Sequence, residues 1–124
     1  MSIVETITVC HRESGLQWLI FQDESERSIT NFADGRPRDA SSLVTMVNAR
    51  SDMNHGHDDW RLPSIEDLET LIGSEGSPSS GIFWSCSICE ENERALWCLR
   101  FPDGLVDADW PSVHHKVRLV RTLS

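Results

Sequence analysis

Two short stretches of the chain carry side chains that could bind a metal ion or take part in redox chemistry. Cys86-Ser-Ile-Cys89 has the spacing of a thiol–disulfide motif or of half a zinc site, because two thiolates at that separation can share one ion. Residues 54–59, Asn-His-Gly-His-Asp-Asp, place two imidazoles and two carboxylates close together, a set that suits a borderline metal. A redox motif opens a helix, however, whereas this one follows the strand-like run 82–84. We therefore expect buried or half-buried structural cysteines, and a solvated loop that leads into Trp60.

The other chemically suggestive residues lack the partners that catalysis or calcium binding needs. The sequence places no nucleophile or carboxylate beside His114-His115, so we expect an exposed turn or the start of a strand there. Asp103, Asp107 and Asp109 do not have the spacing of an EF-hand loop, and we expect solvated carboxylates at strand ends. The common signatures of nucleotide-binding, hydrolase and zinc-protease sites do not occur. We predict that the protein is not an enzyme and has no catalytic residue, metal or cofactor.

Acidic residues and one tryptophan are the side chains that we expect to bind a partner. Residues 52–109 carry thirteen acids and three arginines, a balance of −10, against −2 for residues 1–51 and +3 for residues 110–124. Such a field repels phosphate backbones, which disfavours direct binding to nucleic acid, and it attracts a basic protein. Trp110 lies between Asp109 and Pro111, where an exposed indole could anchor a partner. The predicted binding residues are Glu90, Glu91, Glu93, Asp107, Asp109 and Trp110.

Length and the start of the chain predict a single cytoplasmic domain. A chain of 124 residues with 39% hydrophobic residues has the length of one domain. Residues 1–9 lack the basic and continuous apolar regions of a secretory signal, and no apolar run approaches the ~20 residues of a membrane span. We expect a cytoplasmic protein with reduced cysteines and no membrane partner. The sequence leaves its oligomeric state open.

Six segments have the alternation or the β-branched content of strands. They are residues 3–9, 16–21, 82–85, 94–101, 105–106 and 116–119. Turns at Ser14-Gly15 and at Pro102-Asp103-Gly104 make hairpins of the first two segments and of the fourth and fifth. Trp18 and Trp97 fall within predicted strands and are expected in the core.

Two helices are predicted between the second and third strands. The first begins at about Asp39, where Asp39 or Ser41 could cap it, and its apolar residues recur at helical spacing on one face. These are Ala40, Leu43, Val44 and Val47. The order of the elements, with helices separated from strands, predicts an α+β fold with an antiparallel sheet.

The second helix has the clearer signals. Ser64 is a candidate N-cap with Asp67 three residues later, and negative charge in the first turn suits the helix dipole. We expect Gly73 to end the helix, since glycine suits the left-handed position after a helix. The predicted buried side chains are Ile65, Leu68 and Ile72.

Residues 59–72, Asp-Trp-Arg-Leu-Pro-Ser-Ile-Glu-Asp-Leu-Glu-Thr-Leu-Ile, resemble the signature Asp-Trp-Arg-Leu-Pro-Thr-x-x-Glu-Leu-x-x-Leu. That signature is typical of the Legionella collagen-like protein C-terminal (Lcl C-terminal) domain family. Residues 14–18, 83–85, 95–104 and 117–121 resemble further motifs of the family, in the family's order. The chain is therefore identified as one Lcl-type domain over residues 1–124, and the resemblance implies a C-type lectin-like fold.

The resemblance also implies roles for several residues. Trp60, Leu62 and Leu68 are expected in the core, Pro63 at the start of the helix, and Arg61 as an internal hydrogen-bond or salt-bridge hub. Family members often have one cysteine in the last motif and another in the first helix. This chain has Leu119 in the one region and Met46 or Val47 in the other, which fits a reducing compartment.

Three functional hypotheses follow. The leading one is a non-enzymatic intracellular protein-binding module, such as a bacterial or phage inhibitor of the anti-CRISPR or toxin-immunity type, that presents acids to a basic or nucleic-acid-handling protein. The lectin-like fold implies an alternative, a domain that binds carbohydrate or glycosaminoglycan-type ligands, although the acidic balance argues against sulfated glycans. A further alternative is a metal- or thiol-dependent enzyme built around Cys86, Cys89 and the histidines.

Overall fold

The computed structural model describes residues 5–24 and 27–123, which form six strands and two helices. In chain order these are β1 (Thr6–His11), β2 (Leu16–Phe21), α1 (Ala40–Ala49), α2 (Ile65–Glu69), β3 (Gly81–Ile88), β4 (Leu96–Phe101), β5 (Leu105–Asp109) and β6 (Leu119–Thr122). The order confirms the predicted α+β class. Residues 3 and 4 of the first predicted strand lie outside the described residues, and the last strand begins three residues later than predicted. Neither helix of the described chain is long and apolar enough to cross a membrane.

The strands form two three-stranded antiparallel sheets, whereas the sequence had predicted one. The strand orders are β1-β2-β6 and β3-β4-β5. The two sheets stay separate because the outer edge of β3 is occupied by an irregular segment: Trp84 N–H donates to the Lys116 carbonyl, and Lys116 N–H donates to the Ile82 carbonyl. The closing strand β6 instead pairs with β2, so that both ends of the described chain meet in one sheet.

Both faces of the β3-β4-β5 sheet are covered. Trp84 and its cross-strand partner Cys98 belong to a buried cluster that includes the core face of α1. Phe83 and its partner Leu99, which point to the opposite face, belong to a second cluster that includes Leu68 of α2. The sheet therefore packs between the two clusters, and its ends and its β5 edge face solvent.

Helix α1 begins where the sequence predicts. The Asp39 side chain accepts a hydrogen bond from Ser41 N–H as the N-cap, and Ala40, Leu43 and Val47 are buried. The Asp39 carboxylate is completely buried and also organises the preceding loop, because it accepts from Thr30 Oγ1 and from two main-chain amides of that loop. The cap signal in the sequence therefore marks a larger hydrogen-bonded centre than the helix start alone.

Helix α2 begins as predicted but ends earlier. Ser64 and Asp67 form the predicted capping box. The helix ends at Glu69, so Gly73 does not terminate it, and Ile72 is exposed while Leu71 is buried. The next amides bond three residues back, with Leu71 N–H donating to the Leu68 carbonyl. That tighter winding places residues i and i+3 on one line, which turns Leu71 inward in place of Ile72.

Candidate functional site

The turn between β3 and β4 presents three glutamates to solvent. The turn is anchored at its base by the buried Cys89 and Ala95, where Cys89 N–H donates to the Ala95 carbonyl at 2.9 Å. Glu90, Glu91 and Glu93 between them are all exposed. No ion pair within the described residues involves any of the three. Their charges are therefore available to a partner.

Two large hydrophobic side chains are exposed at the same end of the sheet. Ile88 pairs with Leu96, and Leu96 pairs on its other side with Asp109, so that the ends of β3 and β5 lie in one row. Ile88 is 60% exposed, and Trp110, directly after β5, is 51% exposed. Ile88 was not among the predicted site residues, because a register irregularity between Trp84 and Ile88 decides its position and has no signature in the sequence.

We call Ile88, Glu90, Glu91, Glu93 and Trp110 the acidic end of the sheet. The register places Asp109 there as well, and Asp107 lies two residues back along β5, opposite Cys98. The predicted binding residues thus lie along one end and one edge of a single sheet. Of the predicted binding residues, Asp107 and Asp109 differ from the glutamates in making hydrogen bonds within the chain.

The two aspartates of β5 bind main-chain amides. Asp107 Oδ1 accepts from Ala108 N–H at 2.8 Å, and Asp109 Oδ1 accepts from Trp110 N–H at 3.1 Å. Asp109 Oδ2 also lies 2.9 Å from Nε2 of His115. His115 therefore has a carboxylate partner, and the expectation that it is exposed is wrong, since its side chain is only 12% exposed. The partner comes from the preceding strand, and the ring is further held against the Trp84 ring, with centroids 4.8 Å apart. His114 is exposed, as expected.

Most arginines are neutralised by neighbouring carboxylates. Among the described residues, seven ion pairs hold an arginine: Arg27–Asp23, Arg36–Asp34, Arg50–Asp52, Arg61–Asp67, Arg100–Asp103, Arg118–Glu24 and Arg121–Asp59. The chain has eleven basic residues against twenty acidic ones. With most positive charge paired, the field outside the protein is set mainly by the carboxylates left over, including those of the acidic end.

The residues that carry the family resemblance contact one another. Arg121 Nε donates to Asp59 at 2.7 Å, and Arg121 Nη1 donates to Gln17 at 2.9 Å, which joins three separate motifs. The bond from Arg121 holds the pKa of Asp59 below its usual value. Arg61 Nη1 donates to Asp67 at 2.7 Å, as expected of a salt-bridge hub, but the Arg61 side chain is 43% exposed and not internal. The motif residues therefore hold the fold together.

Burial and hydrogen bonding compete at the capping carboxylate of α2. Burial tends to raise the pKa of Asp67, but the bonds from Arg61 and from Ser64 N–H outweigh it and leave the pKa lowered. Of the residues expected in the core, Trp60 and Leu68 are buried and Leu62 packs against the core at partial burial. These positions are internal to the fold and leave the acidic end outside the family's motifs.

The match to a family extends over almost the whole chain. A family model described as the Lcl C-terminal domain matches residues 7–121. The chain belongs to the Lcl C-terminal domain family. No curated protein matches it. Because the motifs of this Lcl C-terminal domain form internal contacts, its functional surface is to be sought among the exposed residues between them.

The cysteines of this Lcl C-terminal domain are free thiols: Cys10 and Cys86 are exposed, and Cys89 and Cys98 are buried. The expectation of buried or half-buried cysteines in the Cys-x-x-Cys pair is confirmed for Cys89, whereas Cys86 is exposed beside the completely buried Ser85. Burial raises the pKa of the Cys98 thiol to about 12, and Asp109 and Asp107 act in the same direction. Thiols held protonated are poor nucleophiles and poor metal ligands.

The two histidines of the 54–59 loop contact different residues. Nε2 of His55 lies 3.0 Å from Thr6 Oγ1, whereas the His57 ring lies edge-on to Trp60 with centroids 6.3 Å apart. Trp60 Nε1 donates to the Asn54 carbonyl and fixes the loop. Among residues 5–24 and 27–123, no three or more His, Cys, Asp or Glu side chains form a group that could hold a metal ion.

An open cleft of about 610 Å³ lies between the β1–β2 turn and the segment after α2. Its lining is polar: His11, Arg12, Glu13, Ser14, Thr70, Gly73, Ser74 and Glu75. Two of these residues are in contact, since Nε2 of His11 lies 2.7 Å from the Glu75 carbonyl oxygen. The lining offers hydroxyl and carboxylate groups for a polar ligand, and it contains no tryptophan, tyrosine or phenylalanine on which a sugar ring could stack.

Proposed function

We propose that this Lcl C-terminal domain is a non-enzymatic protein-binding module that engages a basic partner through the acidic end. The observation that carries the proposal is the placement of two exposed hydrophobic side chains, Ile88 and Trp110, at the same sheet end as three glutamates that form an ion pair with no described residue. Interfaces are typically built from an aromatic anchor with a charged rim. The partner surface expected here is an apolar pocket surrounded by lysine and arginine.

The two kinds of side chain would contribute differently. Burying the exposed half of Trp110, about 100 Å², contributes about 2.5 kcal/mol at ~25 cal/mol per Å². An exposed ion pair contributes only about 0.2–1 kcal/mol, so the glutamates would mainly speed and orient the encounter. We therefore assign most of the binding free energy to Trp110 and the salt dependence of binding to the three glutamates.

The proposal also covers the class of partner, the fold family and the cellular location. A surface of this kind suits an inhibitor of a nucleic-acid-handling protein, of the anti-CRISPR or toxin-immunity type, because it competes for a basic surface that otherwise binds phosphate. Family membership and the α+β order support a C-type lectin-like fold. A cytoplasmic location is proposed because the chain carries unpaired thiols at four positions.

The test compares two triple variants of equal charge. In one variant, lysine replaces Glu90, Glu91 and Glu93. In the other, lysine replaces three exposed acids that lie outside both the acidic end and the cleft lining, Glu5, Asp58 and Glu69. Each set adds six charges and changes the formal net charge from −9 to −3. Tagged proteins are used to capture partners from the host at low and moderate salt, followed by mass spectrometry and titration of the captured protein.

The proposal expects a basic protein that is released by salt and that binds the first variant at least about tenfold more weakly than the second. Equal binding by the two variants would show that net charge, and not the acidic end, governs capture. Binding that salt does not weaken would refute the electrostatic part of the proposal.

The polar cleft supports a second candidate, binding of an uncharged carbohydrate. Its hydroxyl and carboxylate lining is the supporting observation. A glycan array probed with the unmodified protein and with a Glu75→Gln variant tests it: a ligand that binds the first and not the second supports the cleft. An empty array refutes it. The metal- or thiol-dependent enzyme stays a prediction, for which elemental analysis and stability in chelator are the measurements.

A further inference from the structure

Strand β5 has an open outer edge. It is the last strand in the order β3-β4-β5, and no strand or bridge formed by residues 5–24 and 27–123 pairs with its other side. Open edges carry main-chain groups that can pair with another strand. In this domain the edge adjoins the acidic end, because β5 runs into Asp109 and Trp110.

The hydrogen-bond directions identify which groups face outward. Trp84 N–H and the Ile82 carbonyl bond to Lys116, so residues 82 and 84 direct their main-chain groups away from β4. Trp84 and its partner Cys98 therefore form a non-hydrogen-bonded pair, so the main-chain groups of Cys98 point away from β3 and toward β5. Asp107, which pairs with Cys98 on β5, directs its main-chain groups toward β4. The N–H and C=O groups of Val106 and Ala108, one position to either side, therefore point away from the sheet.

Carboxylates cover part of this edge. Asp107 Oδ1 accepts from the outward Ala108 N–H at 2.8 Å, and Asp109 Oδ1 accepts from Trp110 N–H at 3.1 Å. Asp107 is exposed and forms no ion pair within the described chain. On the opposite side of the strand, Val106 is 41% exposed. The edge thus alternates carboxylate and apolar side chains along its length.

We infer that β5 accepts an added strand from a basic partner in which lysine or arginine alternates with apolar residues. The inference rests on the proposed function and specifies how its partner is held. Carbonyls of the added strand take the N–H groups of Val106 and Ala108. The carboxylate of Asp107, released from Ala108 N–H, and that of Asp109 then face basic side chains in the close, non-hydrogen-bonded pairs of the new ladder, while apolar residues cover Val106.

A second copy of the chain does not fit the same edge. Antiparallel pairing of β5 with itself over its full length is centred on Asp107 and sets the two Asp107 carboxylates opposite each other, and like charges directly opposite each other destabilise a ladder. Charged side chains on an edge are also a means by which edge strands avoid pairing with one another. The charges of the edge therefore indicate that the added strand carries basic side chains.

The experiment uses defined peptides and the full chain. The probe is a short synthetic peptide in which lysine alternates with valine. One control peptide has glutamate in place of lysine, and another has proline in place of valine, which keeps the charge but removes alternate amides. Binding is measured by nuclear magnetic resonance titration, and amide hydrogen exchange is followed at Val106 and Ala108.

The lysine–valine peptide is expected to bind and to slow exchange at Val106. At a peptide concentration ten times its Kd, an amide that exchanges only from the free protein slows about elevenfold. The glutamate peptide is expected not to bind. Equal binding by the lysine–proline peptide, or no protection of Val106 and Ala108, would overturn strand addition. Self-association of the protein through β5, measured by sedimentation, would overturn it in favour of a second copy.

A variant pair distinguishes this inference from the proposed function. Ala108→Pro removes an outward N–H without changing charge, and edge strands tolerate proline at such positions. Ala108→Ser keeps the N–H and is the matched control. We expect the proline variant to bind the lysine–valine peptide about fivefold more weakly or worse. If Ala108→Pro binds the host partner normally while the Glu90, Glu91 and Glu93 variant does not, strand addition is wrong and the proposed function stands.

Discussion

Replacement of Asp39 by asparagine tests whether one buried carboxylate organises the loop before α1. Its Oδ1 accepts from Thr30 Oγ1 at 2.7 Å and from Phe32 N–H at 2.6 Å. Its Oδ2 accepts from Ala33 N–H at 3.1 Å and from both N–H and Oγ of Ser41, at 3.2 and 2.7 Å. Five donors therefore converge on one fully buried carboxylate.

An asparagine in this place keeps one acceptor oxygen and turns the other into an amino group. If the oxygen stays on the Thr30 side, the amino group faces the N–H groups of Ala33 and Ser41, and these two part-buried donors lose their acceptor. Each such group costs about 1 kcal/mol, because neither residue is fully buried, and loss of the N-cap adds about as much. We expect Asp39→Asn to lower the free energy of unfolding by about 3 kcal/mol, a large part of the ~5–15 kcal/mol typical of a domain.

The assay is urea unfolding at neutral pH, followed by tryptophan fluorescence. The matched control is Asp34→Asn, which removes an exposed carboxylate paired with Arg36 and is expected to change stability by less than ~1 kcal/mol. A loss of less than about 1 kcal/mol for Asp39→Asn would refute the reasoning, because it would mean that the loop finds other acceptors at little cost.

Acidification provides an independent check of the same carboxylate. Burial tends to raise the pKa of Asp39, but its hydrogen bonds outweigh burial and leave the pKa lowered. A group whose pKa is lower in the folded state stabilises the protein above its unfolded value, near 3.9, and this stabilisation is lost as pH falls through the folded value. The stability difference between the unmodified protein and Asp39→Asn should therefore shrink only below about pH 4.

Three further changes test the site and its supports. Trp110→Ala should weaken partner binding by about tenfold to a hundredfold while changing the free energy of unfolding by less than ~1 kcal/mol, and a titration with the captured partner checks it. Arg118→Met should lower the free energy of unfolding by about 3–5 kcal/mol, because it leaves Glu24 without its buried partner, and an unchanged urea midpoint would contradict this. Thiol labelling with mass spectrometry should modify Cys86 in the folded protein but Cys98 only on unfolding, since the raised pKa and burial of Cys98 suppress its thiolate.

Features that depend on neighbours along the chain were predictable. Both helix starts, at Asp39 and Ser64, follow from a capping residue next to a helical repeat of apolar residues. The α+β order follows in the same way from local periodicity. The end of α2 was not predictable, because the choice between burying Leu71 and Ile72 depends on the fit of the last turn against the sheet.

The candidate site likewise has some features that the sequence predicts and others that depend on tertiary contacts. The sequence by itself determined that the second half of the chain is acidic. It also determined that Trp110 stands among polar residues, where it could be exposed. Only the tertiary structure decided that no basic residue of the described chain pairs with the glutamates of the β3–β4 turn, that Ile88 is exposed beside them, and that Asp109 binds His115. Such contacts join residues far apart in sequence, as Arg121 joins Gln17. Register, sheet membership and the pairing of charges arise only when distant segments pack, so no local pattern in the sequence encodes them.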